Sequence, residues 1–102
     1  MYFAVWATDR AGALPERERV REQHRARLRN PGVHALKVVL GGPTLSEAAG
    51  AMNGTLLVVQ AESIDAVRQF IADDPYALAG VYASVEVRPW NRGLGRPDTP
   101  AA

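Results

Sequence analysis

A histidine on a predicted helix is the residue whose type and position best suit chemistry. His24 lies four residues after Val20 and four before Leu28, so on a helix all three share the face expected to meet a sheet. Histidine titrates near neutral pH, and a partly buried one beside a cleft can move a proton. The alternative is a core histidine bonded to a backbone carbonyl. We expect His34, which begins a strand after a glycine turn, to be exposed and incidental.

A pair of carboxylates closes the second predicted helix. Asp73 and Asp74 lie at the negative end of the helix dipole, where carboxylates are disfavoured, so their position needs a reason. One reason is that Asp74 caps a short helix starting at Pro75, with Asp73 simply solvated. The other is that Asp74 accepts a hydrogen bond from His24, which fixes the imidazole tautomer and strengthens it as a base. His24 and Asp74 are the candidate catalytic residues.

Four other residues are weaker candidates for binding a substrate. Gly42 and Pro43 belong to a Gly-Gly-Pro run that could line a pocket or simply turn the chain. Thr55 offers a hydroxyl at the start of a strand, although threonine is common in strands for packing reasons. Tyr76 could edge a cleft or pack in a core. The same two alternatives apply to Tyr82, Arg88 and Trp90.

Several classes of site are absent from the sequence. There is no cysteine, and the two histidines are too few for a typical structural zinc site. No phosphate-binding loop, nucleophile elbow or dinucleotide fingerprint occurs. We therefore expect neither a metal nor a cofactor, and any chemistry depends on one histidine and one aspartate.

Length and composition indicate one globular domain. The chain has 102 residues, of which 47% are hydrophobic and 23% charged, and its formal net charge is +1. No apolar run approaches the roughly 20 residues that span a bilayer, and no secretory signal is evident, so we expect a cytoplasmic protein away from membranes. Six of the eleven arginines lie in residues 17–29 among glutamates. This mixed charge is typical of a solvated helix face and argues against nucleic-acid binding.

Hydrophobic periodicity predicts four strands and two main helices. The strands are expected at residues 2–8, 33–40, 54–61 and 81–89, with a flexible stretch at 44–53. One helix has Pro15 in its first turn and runs to about Arg29; the other follows Ser63 as N-cap and stops at Pro75. A short helical turn at 75–79 is closed by Gly80. Residues 1–90 form the predicted domain, and residues 91–102 a flexible tail.

The predicted order is β-α-β-β-α-β, a ferredoxin-like α+β fold with a four-stranded antiparallel sheet whose first and third strands are central. Both central strands are apolar on both faces, whereas two helices can cover only one. The uncovered face would be a larger apolar patch than soluble monomers usually expose. We therefore expect a homodimer that pairs through the sheet face, unless these residues reflect strand propensity alone.

The candidate residues together resemble a known family. The runs that carry the resemblance are Arg21-Glu22-Gln23-His24-Arg25-Ala26-Arg27-Leu28, Gly41-Gly42-Pro43, Gly54-Thr55-Leu56, Asp73-Asp74-Pro75-Tyr76-Ala77-Leu78-Ala79-Gly80-Val81-Tyr82 and Val87-Arg88-Pro89-Trp90. From about Met1 to Trp90 the chain is similar to the YciI-like (YCII-related) family. The resemblance implies a dimeric α+β barrel fold, akin to muconolactone isomerases, with a cleft whose histidine and aspartate match His24 and Asp74. A serine often found at the start of the third strand is Thr55 here.

The resemblance implies acid–base chemistry on a small organic molecule, since one branch of the family is implicated in dehydrochlorination of chlorinated hydroxyhydroquinone-type aromatics. The first hypothesis is a cofactor-free lyase or isomerase in which His24 is the general base and Asp74 orients it. In that reading, Thr55 and backbone near Gly42 position a carbonyl or phenolic oxygen. The second is a binding or sensing module that uses the same pocket without turnover. The third is a purely structural partner domain.

Overall fold

The computed structural model describes residues 1–95 and has the predicted β-α-β-β-α-β order. The strands are β1 (Tyr2–Asp9), β2 (Leu36–Leu45), β3 (Met52–Ala61) and β4 (Tyr82–Trp90), and the helices are α1 (Leu14–Arg29), α2 (Ile64–Ala72) and the single turn α3 (Pro75–Leu78). The predicted tail falls partly on residues 96–102, which lie outside the described residues.

The four strands form one antiparallel sheet in the order β2-β3-β1-β4. β1 and β3 are central, as their apolar residues on both faces predict, and β4 is an edge strand. The ferredoxin-like α+β fold is therefore confirmed. Because α1 and α2 follow β1 and β3 along the chain, both helices return across the same face of the sheet.

The sequence prediction for β2 was wrong at both ends. The strand begins at Leu36 rather than Val33, and it continues through Gly41-Gly42-Pro43 to Leu45. These residues pair with β3, with Pro43 opposite Thr55, after a bulge that leaves Val39 without a partner in the register. A proline is tolerated here because β2 is an edge strand, where its missing N–H can face away from the ladder. The expected flexible stretch is reduced to a short turn between the strands.

The two long helices cover the sheet with different surfaces. α2 starts at Ser63, whose side chain accepts a hydrogen bond from the Ala66 N–H, as predicted, and it buries Val67, Phe70 and Ile71. The buried residues of α1 are Arg17, Val20 and His24, so two of the three side chains that it buries are polar. α3 is closed by Gly80, whose φ of 72° suits glycine.

The opposite face of the sheet carries no helix and is apolar at its centre. Trp6 of β1 lies beside Leu56 of β3, and their side chains are 54% and 41% exposed. Leu40 of β2 is also exposed on this face, next to Val58. We call these four residues the open face. None of the described helices is long and apolar enough to span a bilayer.

Candidate active site

A pocket of about 540 Å³ opens between α1 and the edge strand β2. Helix α1 reaches it because Arg17, Arg21, His24 and Leu28 follow one another at spacings of four, three and four residues, which places them on one face. The far wall is the β2 segment from Val38 to Pro43, and Thr55 and Tyr76 also line the pocket. The pocket thus gathers five of the six predicted site residues: Gly42, Pro43, Thr55, Tyr76 and His24.

The sixth predicted residue, Asp74, lies directly behind His24. The Nδ1 atom of His24 is 2.9 Å from Oδ1 and 2.8 Å from Oδ2 of Asp74, and the two residues are only 4% and 1% exposed. A carboxylate can only accept hydrogen bonds, so this geometry assigns the ring hydrogen to Nδ1. Nε2 then carries the lone pair, and it makes no hydrogen bond with any described residue. His24 is thus a buried imidazole whose basic nitrogen is available to the pocket.

Asp74 plays both of the roles that the sequence analysis set against each other. Its Oδ1 accepts a hydrogen bond of 2.8 Å from the Tyr76 N–H, which is the N-cap interaction of α3. The same carboxylate accepts from His24, and Nη1 of Arg27 lies 3.6 Å from Oδ2. The cap holds the carboxylate rigidly relative to α3. As a result, the orientation of the imidazole is fixed by secondary structure.

Tyr76 forms the wall against which the imidazole packs. Its ring is stacked on that of His24 with a centroid distance of 4.0 Å and an interplanar angle of 24°. The residue is 1% exposed, and burial raises the pKa of its phenol, although the nearby Arg17 and Arg21 oppose this shift. Tyr76 therefore restricts the ring of His24 to one plane while presenting a neutral surface to the pocket.

A second polar network, which the sequence analysis missed, lies beside the first. Arg17 is 2% exposed; its Nε and Nη2 donate to the two carboxylate oxygens of Asp9 at 2.7 and 2.9 Å, and Nη2 also donates to the Thr55 hydroxyl at 2.7 Å. The Tyr82 hydroxyl donates to the same Thr55 oxygen at 3.0 Å. The guanidinium lies over the Tyr76 ring, 4.2 Å from its centroid. Tyr76 thus contacts both networks.

The environment fixes the charge of this second network. Burial acts to lower the pKa of Arg17, but the hydrogen bond and charge of Asp9 more than offset it, so that pKa lies above its usual value. Burial also raises the pKa of Tyr82, and the bond to Thr55 only partly opposes this. Arg17 is therefore a buried cation, and Tyr82 a neutral hydroxyl donor. Sequence spacing could have identified Arg17, which lies seven residues before His24 on the same helix face.

The two glycines of β2 line the pocket with backbone and no side chain. A Cβ atom at Gly41 would lie 2.8 Å from Cδ2 of Leu57, closer than real Cβ contacts allow, so a side chain there would have to shift the Leu57 methyl group. Gly42 pairs with Leu56 of the open face, and a Cβ there would meet nothing within 4 Å. Gly42 therefore contributes backbone to the pocket, whereas Gly41 leaves room beside it.

Several other sequence predictions concern residues outside the pocket. The prediction that His34 is exposed was wrong: its side chain is 14% exposed, lies 3.2 Å from the Asp73 carboxylate and packs edge-on against Phe70. Arg88 pairs with Glu86 on β4, and Trp90 packs against Tyr2, so neither of these two edges the pocket. Within residues 1–95, no group of three or more potential ligand side chains could hold a metal ion.

Known proteins with this fold carry similar sequences. A solved structure of 5-chloro-2-hydroxyhydroquinone dehydrochlorinase from Burkholderia phenoliruptrix, in complex with 2,5-dihydroxybenzoquinone, is 36% identical to this chain. The match has a TM-score of 0.80 and covers 91% of this chain and 96% of that one. Protein YciI of Escherichia coli is 30% identical over 97 residues, and an uncharacterized protein of Haemophilus influenzae is 33% identical over 96 residues. Each covers 90% of this chain and 98% of the relative. The sequence model of the YCII-related domain matches residues 1–91, so the chain belongs to the YCII-related family.

Proposed function

We propose that the pocket is the active site of a cofactor-independent acid–base enzyme, of the lyase or isomerase type, that acts on a small aromatic molecule. The observation that carries the proposal is the arrangement of His24: Nδ1 bonded to a buried carboxylate, and Nε2 left for a pocket of about 540 Å³. The similar dehydrochlorinase, with its bound quinone, supports the aromatic substrate class. The volume is ample for a single substituted ring.

The proposed reaction needs only a proton acceptor and a place for the displaced electrons. Nε2 of His24 removes a proton from a hydroxyl or carbon of the substrate, and the electron pair of the broken bond moves into the ring system. In a lyase the proton is returned to the chlorine-bearing carbon, which becomes tetrahedral, and the electron pair released by deprotonation of a second hydroxyl then expels chloride; in an isomerase the proton returns to a different carbon. Both routes balance without an oxidant or a metal.

Asp74 acts through His24 in this scheme. Its carboxylate holds the hydrogen on Nδ1 and stabilises the imidazolium that forms when Nε2 takes the proton. Thr55 and the backbone near Gly42 lie within the same pocket and position a carbonyl or phenolic oxygen of the substrate. His24 is thus the proposed catalytic base, and Asp74 a positioning residue.

The test measures chloride release from 5-chloro-2-hydroxyhydroquinone and, separately, binding of 2,5-dihydroxybenzoquinone. His24→Asn should lower kcat by about 10²- to 10⁴-fold and leave the quinone affinity within a few-fold. Asp74→Asn should lower kcat with little change in KM, because asparagine can still cap α3 but cannot stabilise the imidazolium. His34→Asn is the control, since His34 lies outside the pocket and should leave kcat unchanged.

Each result has a definite meaning. Quinone binding without chloride release in the wild type would favour a binding or sensing module over an enzyme. Equal activity of the wild type and His24→Asn would contradict the proposal directly. Circular dichroism of each variant shows whether a loss of activity comes from unfolding.

We also propose that a second copy of the chain covers the open face. Trp6, Leu40 and Leu56 are each more than a third exposed at the centre of the sheet, and a two-fold axis would bury these residues against their equivalents. Light scattering should give a dimer for the wild type and a monomer for Leu56→Arg. Leu78→Arg is the matched control, because Leu78 is 75% exposed on α3, away from this face. A monomeric wild type at micromolar concentration would contradict the proposal.

A further inference from the structure

We propose that the pocket selects an organic oxyanion, a carboxylate or phenolate, over a neutral molecule of the same shape. The inference rests on the proposed function only in taking this pocket as the ligand site. Its basis is the charge of the pocket lining. That lining includes five cationic side chains and no carboxylate among the described residues, and the five are Arg17, Arg21, Arg25, Arg29 and Lys37.

Three of these cations have no anionic partner in the described part of the chain. Arg17 is balanced by Asp9, and Arg25 lies 3.2 Å from Glu22. Arg21, Arg29 and Lys37 form no ion pair with residues 1–95. The structure thus separates charges that the sequence presents as mixed, since the glutamates on α1 lie off the pocket and the arginines spaced four apart face it. The pocket lining therefore keeps an uncompensated positive charge.

Thr55 supplies a hydrogen-bond donor inside the pocket. A threonine oxygen has two lone pairs and one hydrogen. Both lone pairs are used here, one by Nη2 of Arg17 at 2.7 Å and the other by the Tyr82 hydroxyl at 3.0 Å. The hydroxyl hydrogen forms no bond with the described residues, and Thr55 lines the pocket. It is therefore available to a ligand acceptor, and the cation on its oxygen makes it a stronger donor.

These two features select the same ligand chemistry. The unpaired cations of the lining attract and hold a negative charge, and the Thr55 hydroxyl donates to an oxygen. His24 lies on the same helix face, between Arg21 and Leu28, where Nε2 can reach the ring that bears that oxygen. A neutral ligand would use the donor but leave the cations unpaired. Specificity for the anion follows from that difference.

The first experiment compares two ligands of similar shape, one anionic and one neutral. Calorimetry should show that 2,5-dihydroxybenzoate binds the wild-type protein at least about 10-fold more tightly than 2,5-dihydroxybenzamide, and that the advantage shrinks as salt is added. A second pair distinguishes phenolate from carboxylate: 4-nitrophenol, at a pH where it is ionised, against neutral 4-nitroanisole. A preference in either pair supports the proposal and identifies the oxyanion. Equal affinities in both pairs, or no measurable binding of either anion, overturn it.

Variants locate the source of the preference. Arg21→Gln should reduce the anion's advantage by about 3- to 10-fold, whereas Arg19→Gln should not, because Arg19 is on the same helix but pairs with Glu16 outside the pocket. Thr55→Val should weaken binding of the anion several-fold, whereas Thr55→Ser, which keeps the hydroxyl, should bind it as the wild type does. If the valine variant does not fold, Tyr82→Phe, which removes one of the two donors to Thr55, should produce a smaller loss of the same preference. Unchanged preferences in Arg21→Gln and Tyr82→Phe would overturn the assignment.

Failure of this inference can be told from failure of the proposed function. His24→Asn should retain the preference for the anion even when turnover is lost. A protein that turns over substrate but binds the neutral analogue equally well has the function without the selectivity. A protein that prefers the anion but turns nothing over has the selectivity without the function.

Discussion

The two helices on the covered face of the sheet seal it in opposite ways. α2 contributes Val67, Phe70 and Ile71 to a core cluster with residues of β1 and β3, and this half is apolar. α1 and α3 cover the other half, where the buried polar and charged residues among residues 1–95 lie: Arg17, His24, Thr55 and Asp74. One half is closed by hydrophobic packing alone, whereas the other combines a smaller apolar cluster with hydrogen bonds around a pocket; the cluster consists of Ala13, Val20, Tyr76 and Val81.

The difference shows how a small domain can hold both a stable core and a polar site. Buried apolar surface stabilises the α2 half, whereas each buried polar group of the α1 half has to be paired to avoid a desolvation cost. The chain pairs Arg17, His24, Thr55 and Asp74 in two networks joined by Tyr76. Arg27 at the boundary is less completely paired: its buried Nη1 and Nη2 atoms have no hydrogen-bond partner among the described residues, and its guanidinium lies 4.1 Å from the Phe70 ring centroid and 3.6 Å from Asp74.

Removing the buried cation should have the largest effect on stability. Arg17→Met keeps the length of the side chain but leaves the Asp9 carboxylate, which is 5% exposed, without its partner. We expect the free energy of unfolding to fall by about 3–5 kcal/mol, measured by urea denaturation. Arg19→Met is the control; its side chain is 62% exposed, and the loss should stay below about 0.5 kcal/mol. Similar losses in the free energy of unfolding for the two variants would show that the ion pair between Arg17 and Asp9 does not stabilise the polar half.

A cavity in the apolar half should reduce stability without altering the pocket. Val67 of α2 is completely buried against the sheet, and Val67→Ala should lower the free energy of unfolding by about 2 kcal/mol. Because Val67 does not line the pocket, ligand affinity and kcat of the folded variant should match the wild type. A change in either would mean that the apolar and polar halves are coupled, which would contradict the division of roles between them.

Removing the Tyr82 hydroxyl should change how stability depends on pH. Burial raises the pKa of Tyr82, so the folded protein keeps a proton that the unfolded chain loses near pH 10. The free energy of unfolding should therefore be level below that pH and fall above it by up to about 1.4 kcal/mol per unit for this group. Tyr82→Phe should lower the free energy of unfolding by about 1 kcal/mol at neutral pH and make its fall above about pH 10 less steep. Tyr2→Phe, at a less buried phenol, is the control, and an unchanged decline in Tyr82→Phe would contradict the assignment.

The smallest effect is expected from the carboxylate adjacent to Asp74 in sequence. Asp73 is 66% exposed and contacts only the ring of His34 at 3.2 Å. Asp73→Asn should change the free energy of unfolding by less than about 0.5 kcal/mol and leave kcat unchanged. Two adjacent aspartates would then differ in importance because Asp74 is buried and bonded to His24 and the α3 backbone, whereas Asp73 is exposed. A large effect at Asp73 would show that the polar site extends beyond the pocket.

The sequence predicted the architecture because its periodic signals are strong. Two-sided apolar strands identified β1 and β3 as central, and the spacing of Val20, His24 and Leu28 placed the histidine inward. β2 was misjudged because Gly41-Gly42-Pro43 is usually a stop signal, whereas an edge strand accepts it. Only the pairing with β3 reveals that exception.

The polar network of the site was harder to predict, because charge in a sequence does not reveal burial. Arg17 looked like one more residue of a solvated helix, and its partners Asp9 and Thr55 lie 8 and 38 residues away. Asp74 was treated as either a cap or a histidine partner, since sequence alone suggests no reason for one carboxylate to do both. His34 was misread for the opposite reason, because the bulk of Phe70 shields a position that looked exposed.

The position of β1 between β3 and β4 also bears on when the site can form during synthesis of the chain. The first strand pairs with the last, since Tyr2 lies opposite Trp90. His24 bonds to Asp74, which lies 50 residues later in the sequence. Folding of this kind is dominated by contacts distant in sequence, which close slowly. A nascent chain that has left the ribosome as far as β2 has neither its complete sheet nor its site, so both should appear only after the last strand has been released.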